Sequence, residues 1–140
     1  MAHYRSLFRA AARAALAAHP HFAGVRILKV WPGSVDAASL PVIGVLTPQE
    51  PSQRDSQRSV TRRTLLQIAL RRIGGDEIED VLDEDSAMIE AIINDALRTA
   101  EIRAQLEETS IVSHSQSEAF VGTLVMSFRL QTWQPEATLT

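Results

Sequence analysis

Between Ala119 and Trp133 the sequence alternates as a half-buried β-strand does. Phe120, Leu124, Met126, Phe128 and Leu130 fall in one phase, and Thr123, Ser127, Arg129 and Gln131 in the other. A strand with one apolar face belongs in a sheet whose apolar side is covered by a second layer. The same phase recurs at Leu66, Ile68 and Leu70, inside a long strand predicted over Arg58–Arg72. Two shorter strands precede it. Val25–Trp31 is closed by a Pro32-Gly33-Ser34 turn, and Pro41–Thr47 has apolar residues on both faces (Val42 and Leu46, Ile43 and Val45), which predicts a central position. Thr109–His114 is a weaker strand, joined to Ala119–Trp133 by the Ser-rich turn 113–118.

Two amphipathic helices are available as the covering layer. Over residues 3–18, Tyr4, Leu7, Phe8, Ala11 and Ala15 share one side and Arg5, Arg9 and Arg13 the other, and His19-Pro20 ends the helix. This Arg-rich, acid-free start is similar to a mitochondrial transit peptide, but its apolar side is needed to cover the sheet. After Gly74-Gly75 a helix is predicted over Asp76–Ala104, opened by an Asp76/Glu79 capping box and striped by Ile78, Leu82, Ile89, Ile92, Ile93 and Ala96. Asp85 falls inside that stripe, which predicts a restart at Asp85-Ser86 in preference to a buried acid. Pro48–Ser56 reads as a polar loop. Arg58, Arg62 and Arg63 leave the first half of the long strand too charged for a core, so residues 48–63 are predicted to project as a hairpin arm. Residues 134–140 are predicted to be a loose tail. The expectation is one domain over 1–140, α+β, with a mixed or antiparallel sheet of about five strands under two helices, in the order α-β-β-β-α-β-β.

The residue types exclude much chemistry. With no cysteine there is neither a disulfide framework nor a thiolate zinc site. No apolar run approaches the length needed to cross a bilayer. Hydrophobic residues at 45% and charged residues at 22% are the composition of a chain that can build a core. None of His3, His19, His21 and His114 shares a helix face with a carboxylate at ligand spacing, and the consecutive acids Asp83, Glu84 and Asp85 point in different directions on a helix. Phosphate-binding glycine patterns and the Gly-x-Ser-x-Gly elbow are missing. A non-enzyme without metal or cofactor is expected. Arg58, Arg62, Arg63, Arg71 and Arg72 raise nucleic-acid binding, but residues 32–119 contain no Phe, Tyr or Trp to stack on bases, and the pI near 5.8 is acidic.

Charge is strongly segregated along the chain. The net charge of −3 divides into +5 over residues 1–35, +3 over 36–75, −10 over 76–108 and −1 over the remainder. Two complementary surfaces would then face copies of the molecule, or the segments would neutralise one another internally. Thirteen arginines to one lysine, with many alanines, suit a GC-rich genome.

The order of elements, the segment LPVIGVLTP at 40–48 and the segment TLLQIALRRIGGDEIEDVLDEDSAMIEAI at 64–92, with its Ile89-Glu90 pair, resemble the tail terminator proteins of long-tailed bacteriophages or of a phage-like gene transfer agent. The resemblance covers nearly the whole chain and is carried by hydrophobic pattern. It implies a virion protein assembled in the bacterial cytoplasm into a ring, hexameric in the family, that stops tail-tube polymerisation. The major tail tube protein would lie below the ring and the head–tail connector above it. DNA would be passing cargo only, and no membrane is implied. Interface residues expected on this reading are Arg54, Arg58, Arg62 and Arg63 of the arm and Asp80, Asp83 and Glu84 of the acidic helix. Another neck component, or a small acidic secretion chaperone working as a dimer, is the alternative.

Overall fold

A computed structural model describes residues 2–31, 37–116 and 119–139. They form an α+β fold in which one mixed sheet carries two helices on one face. The elements are α1 (Tyr4–Ala18), β1 (Arg26–Leu28), β2 (Val42–Gln49), β3 (Ser52–Arg54), β4 (Ser59–Gly74), α2 (Ile78–Leu97), β5 (Arg103–Gln116) and β6 (Ala119–Pro135). The sheet runs β1-β2-β4-β6-β5, with β3 continuing the β2 side of β4, and only β1–β2 is parallel. Its spine is the antiparallel β4–β6 ladder, unbroken from Ser59 opposite Pro135 to Gly74 opposite Phe120.

Register explains the core. Leu66 faces Phe128, Ile68 faces Met126 and Leu70 faces Leu124, and all six are fully buried. Ile43 and Val45 extend that layer into β2, which lies between β1 and β4 as its two apolar faces require. The helices close the core with Phe8, Ala12 and Leu16 from α1 and Leu82, Ile89 and Ile93 from α2. Each of the larger of these side chains contributes about 1.5–3 kcal/mol when removed from water. Gly122, on β6 under the first turns of α2, has a specific packing reason: a Cβ there would lie 2.6 Å from Leu82 Cδ1 and 2.9 Å from Ile78 Cγ1.

The structure corrects several expectations. The sheet has six strands, because the predicted loop at Pro48–Ser56 holds the end of β2 and all of β3. The arm is a hairpin, β3 against the first half of β4, and it is backed by a third strand. β3 pairs one edge of its β4 half and β6 the other, since β6 is long enough to follow β4 to its start. Val60 and Thr64 are buried within this first half. β1 is shorter than Val25–Trp31, and its Pro32-Gly33-Ser34 turn lies outside the described residues, as do 117–118 of the Ser-rich turn. α1 turns its face toward Phe8, Ala12 and Leu16, which leaves Leu7 55% exposed. The Asp76/Glu79 capping box does not form: α2 begins after Glu77, which makes no side-chain cap bond. α2 ends at Leu97 instead of Ala104, because residues from Arg103 onward pair with β6, and sheet packing overrides helix-favouring sequence. Thr99 Oγ1 accepts from the amides of Glu101 and Ile102 in the intervening turn. Beyond β6 the tail carries no regular element, though the Glu136 amide still donates to the Arg58 carbonyl at 3.0 Å.

Candidate functional site

The expected interface residues fall into two groups that the fold holds apart. Arg54 and Arg58 are exposed at the β3–β4 turn, Arg63 is exposed on β4, and Arg62 is half-buried beside them. Arg54 donates to the carbonyls of Ser56 (3.1 Å) and Gln57 (3.3 Å) and lies 3.6 Å from the Glu136 carboxylate. Arg62 donates from Nη1 to Ser52 Oγ at 2.9 Å, while its Nε, like Thr132 Oγ1 directly opposite on β6, is buried without a partner. Asp80, Asp83 and Glu84 are all exposed on the outer side of α2. α2 starts where β4 ends, so at roughly 3.3 Å per residue the Arg62-to-Gly74 run of β4 places the helix start about 40 Å from the arm. Among the described residues no ion pair joins the arm arginines to these acids.

Two buried carboxylates stitch the layers together, and sequence reasoning missed both arrangements. α2 runs unbroken through Asp85, so the predicted restart is wrong: Asp85 is a buried acid, 1% exposed. Arg72 continues the inward phase of Leu66, Ile68 and Leu70 on β4, opposite Gly122, and so points its charge at the helix layer. It donates from Nε to Asp85 Oδ2 (2.6 Å) and from Nη2 to Oδ1 (3.1 Å). His21, from the turn after α1, donates from Nε2 to Oδ1 at 2.9 Å. The sequence signal was present twice, as one charge in the apolar phase of a helix and one in the apolar phase of a strand.

At the other end of the sheet Glu50, its side chain 5% exposed, accepts from Tyr4 Oη, Thr64 Oγ1 and Arg5 Nη1 (3.2 Å). Glu50, Tyr4 and Arg5 border an open depression of about 520 Å³ shared with His3, Arg62 and Gln134. Burial first, and then the hydrogen bond and charge of Glu50, push the Tyr4 phenol up to about 12. A phenol whose folded pKa is raised stays protonated after the unfolded chain has ionised. Its contribution to stability is complete below pH 10 and is lost as pH climbs from about 10 to 12. Tyr4 is the chain's one tyrosine, so an ultraviolet phenolate titration should show a single midpoint near pH 12 instead of 10.

The sheet face opposite the helices mixes apolar residues (Val42, Leu46, Leu65, Ala69 and Val125) with a larger polar set. Register puts Arg63, Gln67 and Arg71 of β4, Thr123, Ser127, Arg129 and Gln131 of β6, and Arg103 and Gln105 of β5 on it. Arg71 donates to Thr123 Oγ1 (3.2 Å), and Arg129 bridges Glu107 (3.1 Å) and the Arg63 carbonyl (3.1 Å). A cleft of about 230 Å³ opens between Arg63, Arg103, Glu107 and Arg129. Both tryptophans also reach this face. Trp31 lies over Gly44, with Arg71 5.2 Å from its ring centroid, and Trp133 carries Arg103 at the same separation. The aromatic partners that residues 32–119 lack are supplied by tertiary structure.

Among the described residues no three His, Asp or Glu side chains gather to hold a metal ion, and no helix is long and apolar enough to cross a membrane. Compared with models of known protein families the chain matches none, and no curated protein matches it significantly.

Proposed function

We propose that the chain is a non-enzymatic structural subunit whose copies join head to tail into a ring that caps a phage-like tail tube. The separation of charge carries this reading. An exposed acidic helix start and an exposed arginine arm lie at opposite ends of one sheet, without ion pairs between them among the described residues, so each is available to a neighbouring copy. Contacts of this heterologous kind close into rings when the rotation permits. The resemblance of residues 40–48 and 64–92 to tail terminators supports a six-membered ring, with the major tail tube protein below, the head–tail connector above and DNA passing through.

Native mass spectrometry tests the ring directly: six copies are expected, whereas a dimer would point to the secretion chaperone. Exposed ion pairs contribute about 0–1 kcal/mol each, so assembly should weaken steadily as salt rises. Arg58→Glu with Arg63→Glu should block assembly, and mixing that variant with Asp80→Lys/Asp83→Lys should restore alternating contacts. Assembly indifferent to salt and to both variants would remove the electrostatic contact. Deleting the gene should leave filled heads and unjoined tails of abnormal length, and normal particles would overturn the tail-cap role.

A further inference from the structure

We infer that the helix-free face of the sheet of the unassembled chain binds single-stranded nucleic acid; the inference does not rest on the ring, which would draw Arg63 into a contact between copies. A non-sequence-specific strand binder combines cations that track phosphates with aromatic rings on which bases stack. Here Trp133 is 44% exposed with Arg103 beside it, and Trp31 carries Arg71. Arg63 and Arg129 lie between the two rings. From Thr61, opposite Trp133, to Ala69, opposite the Gly44 that Trp31 covers, β4 advances eight positions. Together with the lateral step from β6 to β2, this separates the rings by about 25–30 Å. That span suits several nucleotides of an extended strand. A duplex would bury its bases and leave the rings unused.

The acidic pI is no obstacle, because potential is local. The acids of α2 lie on the other side of the sheet; the helix-free face itself carries Glu107, which Arg129 already pairs, and Glu108, opposite Ser127, against Arg63, Arg71, Arg103 and Arg129. An acidic surface of a second protein would satisfy the arginines but would give the exposed Trp133 ring no flat partner. The aromatic component favours bases.

The chain's two tryptophans both belong to this face, so intrinsic tryptophan fluorescence reports on it alone. Titration with an oligothymidylate of about 12 nucleotides, within the usual site range, should quench that fluorescence. Three phosphate contacts predict an affinity about 20-fold lower at 200 mM salt than at 50 mM. By anisotropy of a labelled oligonucleotide, Trp133→Ala should bind about 5- to 160-fold more weakly. Arg103→Ser, at an exposed position, should bind more weakly with a flattened salt slope, and both variants should melt like the parent chain. No quenching up to about 100 µM oligonucleotide at low salt, the weak end of non-specific binding, overturns the proposal. So does equal competition by a duplex with Trp133→Ala unaffected, which would reduce the face to a charge-only surface. Self-association weakened by Arg103→Ser without any oligonucleotide binding overturns it in favour of a protein partner.

Discussion

Asp85→Ala should lower the stability of the fold by about 3–5 kcal/mol, the usual result of removing one partner from a buried ion pair. The loss comes chiefly from what remains. Arg72, its side chain 20% exposed, would keep its guanidinium beneath the helix layer with no carboxylate to receive it, and His21 would lose its acceptor. For a domain of this size the melting temperature should fall by about 10–15 °C. Asp85→Asn separates charge from shape, since it can still accept a hydrogen bond but cannot neutralise Arg72, and should fall between the two. A combined Asp85→Leu/Arg72→Met chain should recover most of the loss, because well-packed apolar replacements of a buried pair are often neutral or stabilising. A loss below about 1 kcal/mol for Asp85→Ala in chemical denaturation would show that the three-way contact among α2, β4 and the turn after α1 contributes little.

Glu50→Ala should cost about 3 kcal/mol, because it orphans the hydroxyls of Tyr4 and Thr64 and releases Arg5 in one step. The same variant carries a second readout. With the carboxylate gone the Tyr4 midpoint should move down from about 12, but stay above 10 because burial is the largest cause of the shift. An unchanged titration together with an unchanged melting temperature would mean that Tyr4 and Glu50 do not meet in solution. Since Glu50 fastens α1 at the base of the arm, its loss should also raise hydrogen exchange over residues 50–64.

What could be read from the residues followed periodicity. Leu66, Ile68 and Leu70 and the alternation of Phe120 through Leu130 placed the two central strands and their inward phase, and Ile78 through Ile93 placed the face of α2. Readings failed where a partner distant in sequence decided the outcome. Residues 103–108 favour helix locally, but Ala104 and Leu106 find Leu130 and Phe128 across the ladder. Asp85 looked like a break because its own helix offers it nothing, and Arg72 and His21 approach it from two other elements. The arm looked unsupported because Val60 and Arg62 gain their neighbours only once β3 and β6 flank them. Local pattern likewise could not show the helix-free face, whose two rings come from opposite ends of the chain and meet arginines from β4 and β5.

The β4–β6 ladder also dictates an order of events during folding. β5 and β6 are sequence neighbours and can zip locally as a hairpin, whereas joining Leu66 to Phe128 requires closing a long loop first. During synthesis β4 can pair with β2 early, but its other edge stays open, with Leu66, Ile68 and Leu70 half-covered, until β6 has left the ribosome. An open apolar edge of that length is a template for the wrong partner, including the same strand of another nascent chain. The interval between the emergence of β4 and of β6 is therefore when this chain is most exposed to aggregation, and when a chaperone holding β4 would most raise its yield.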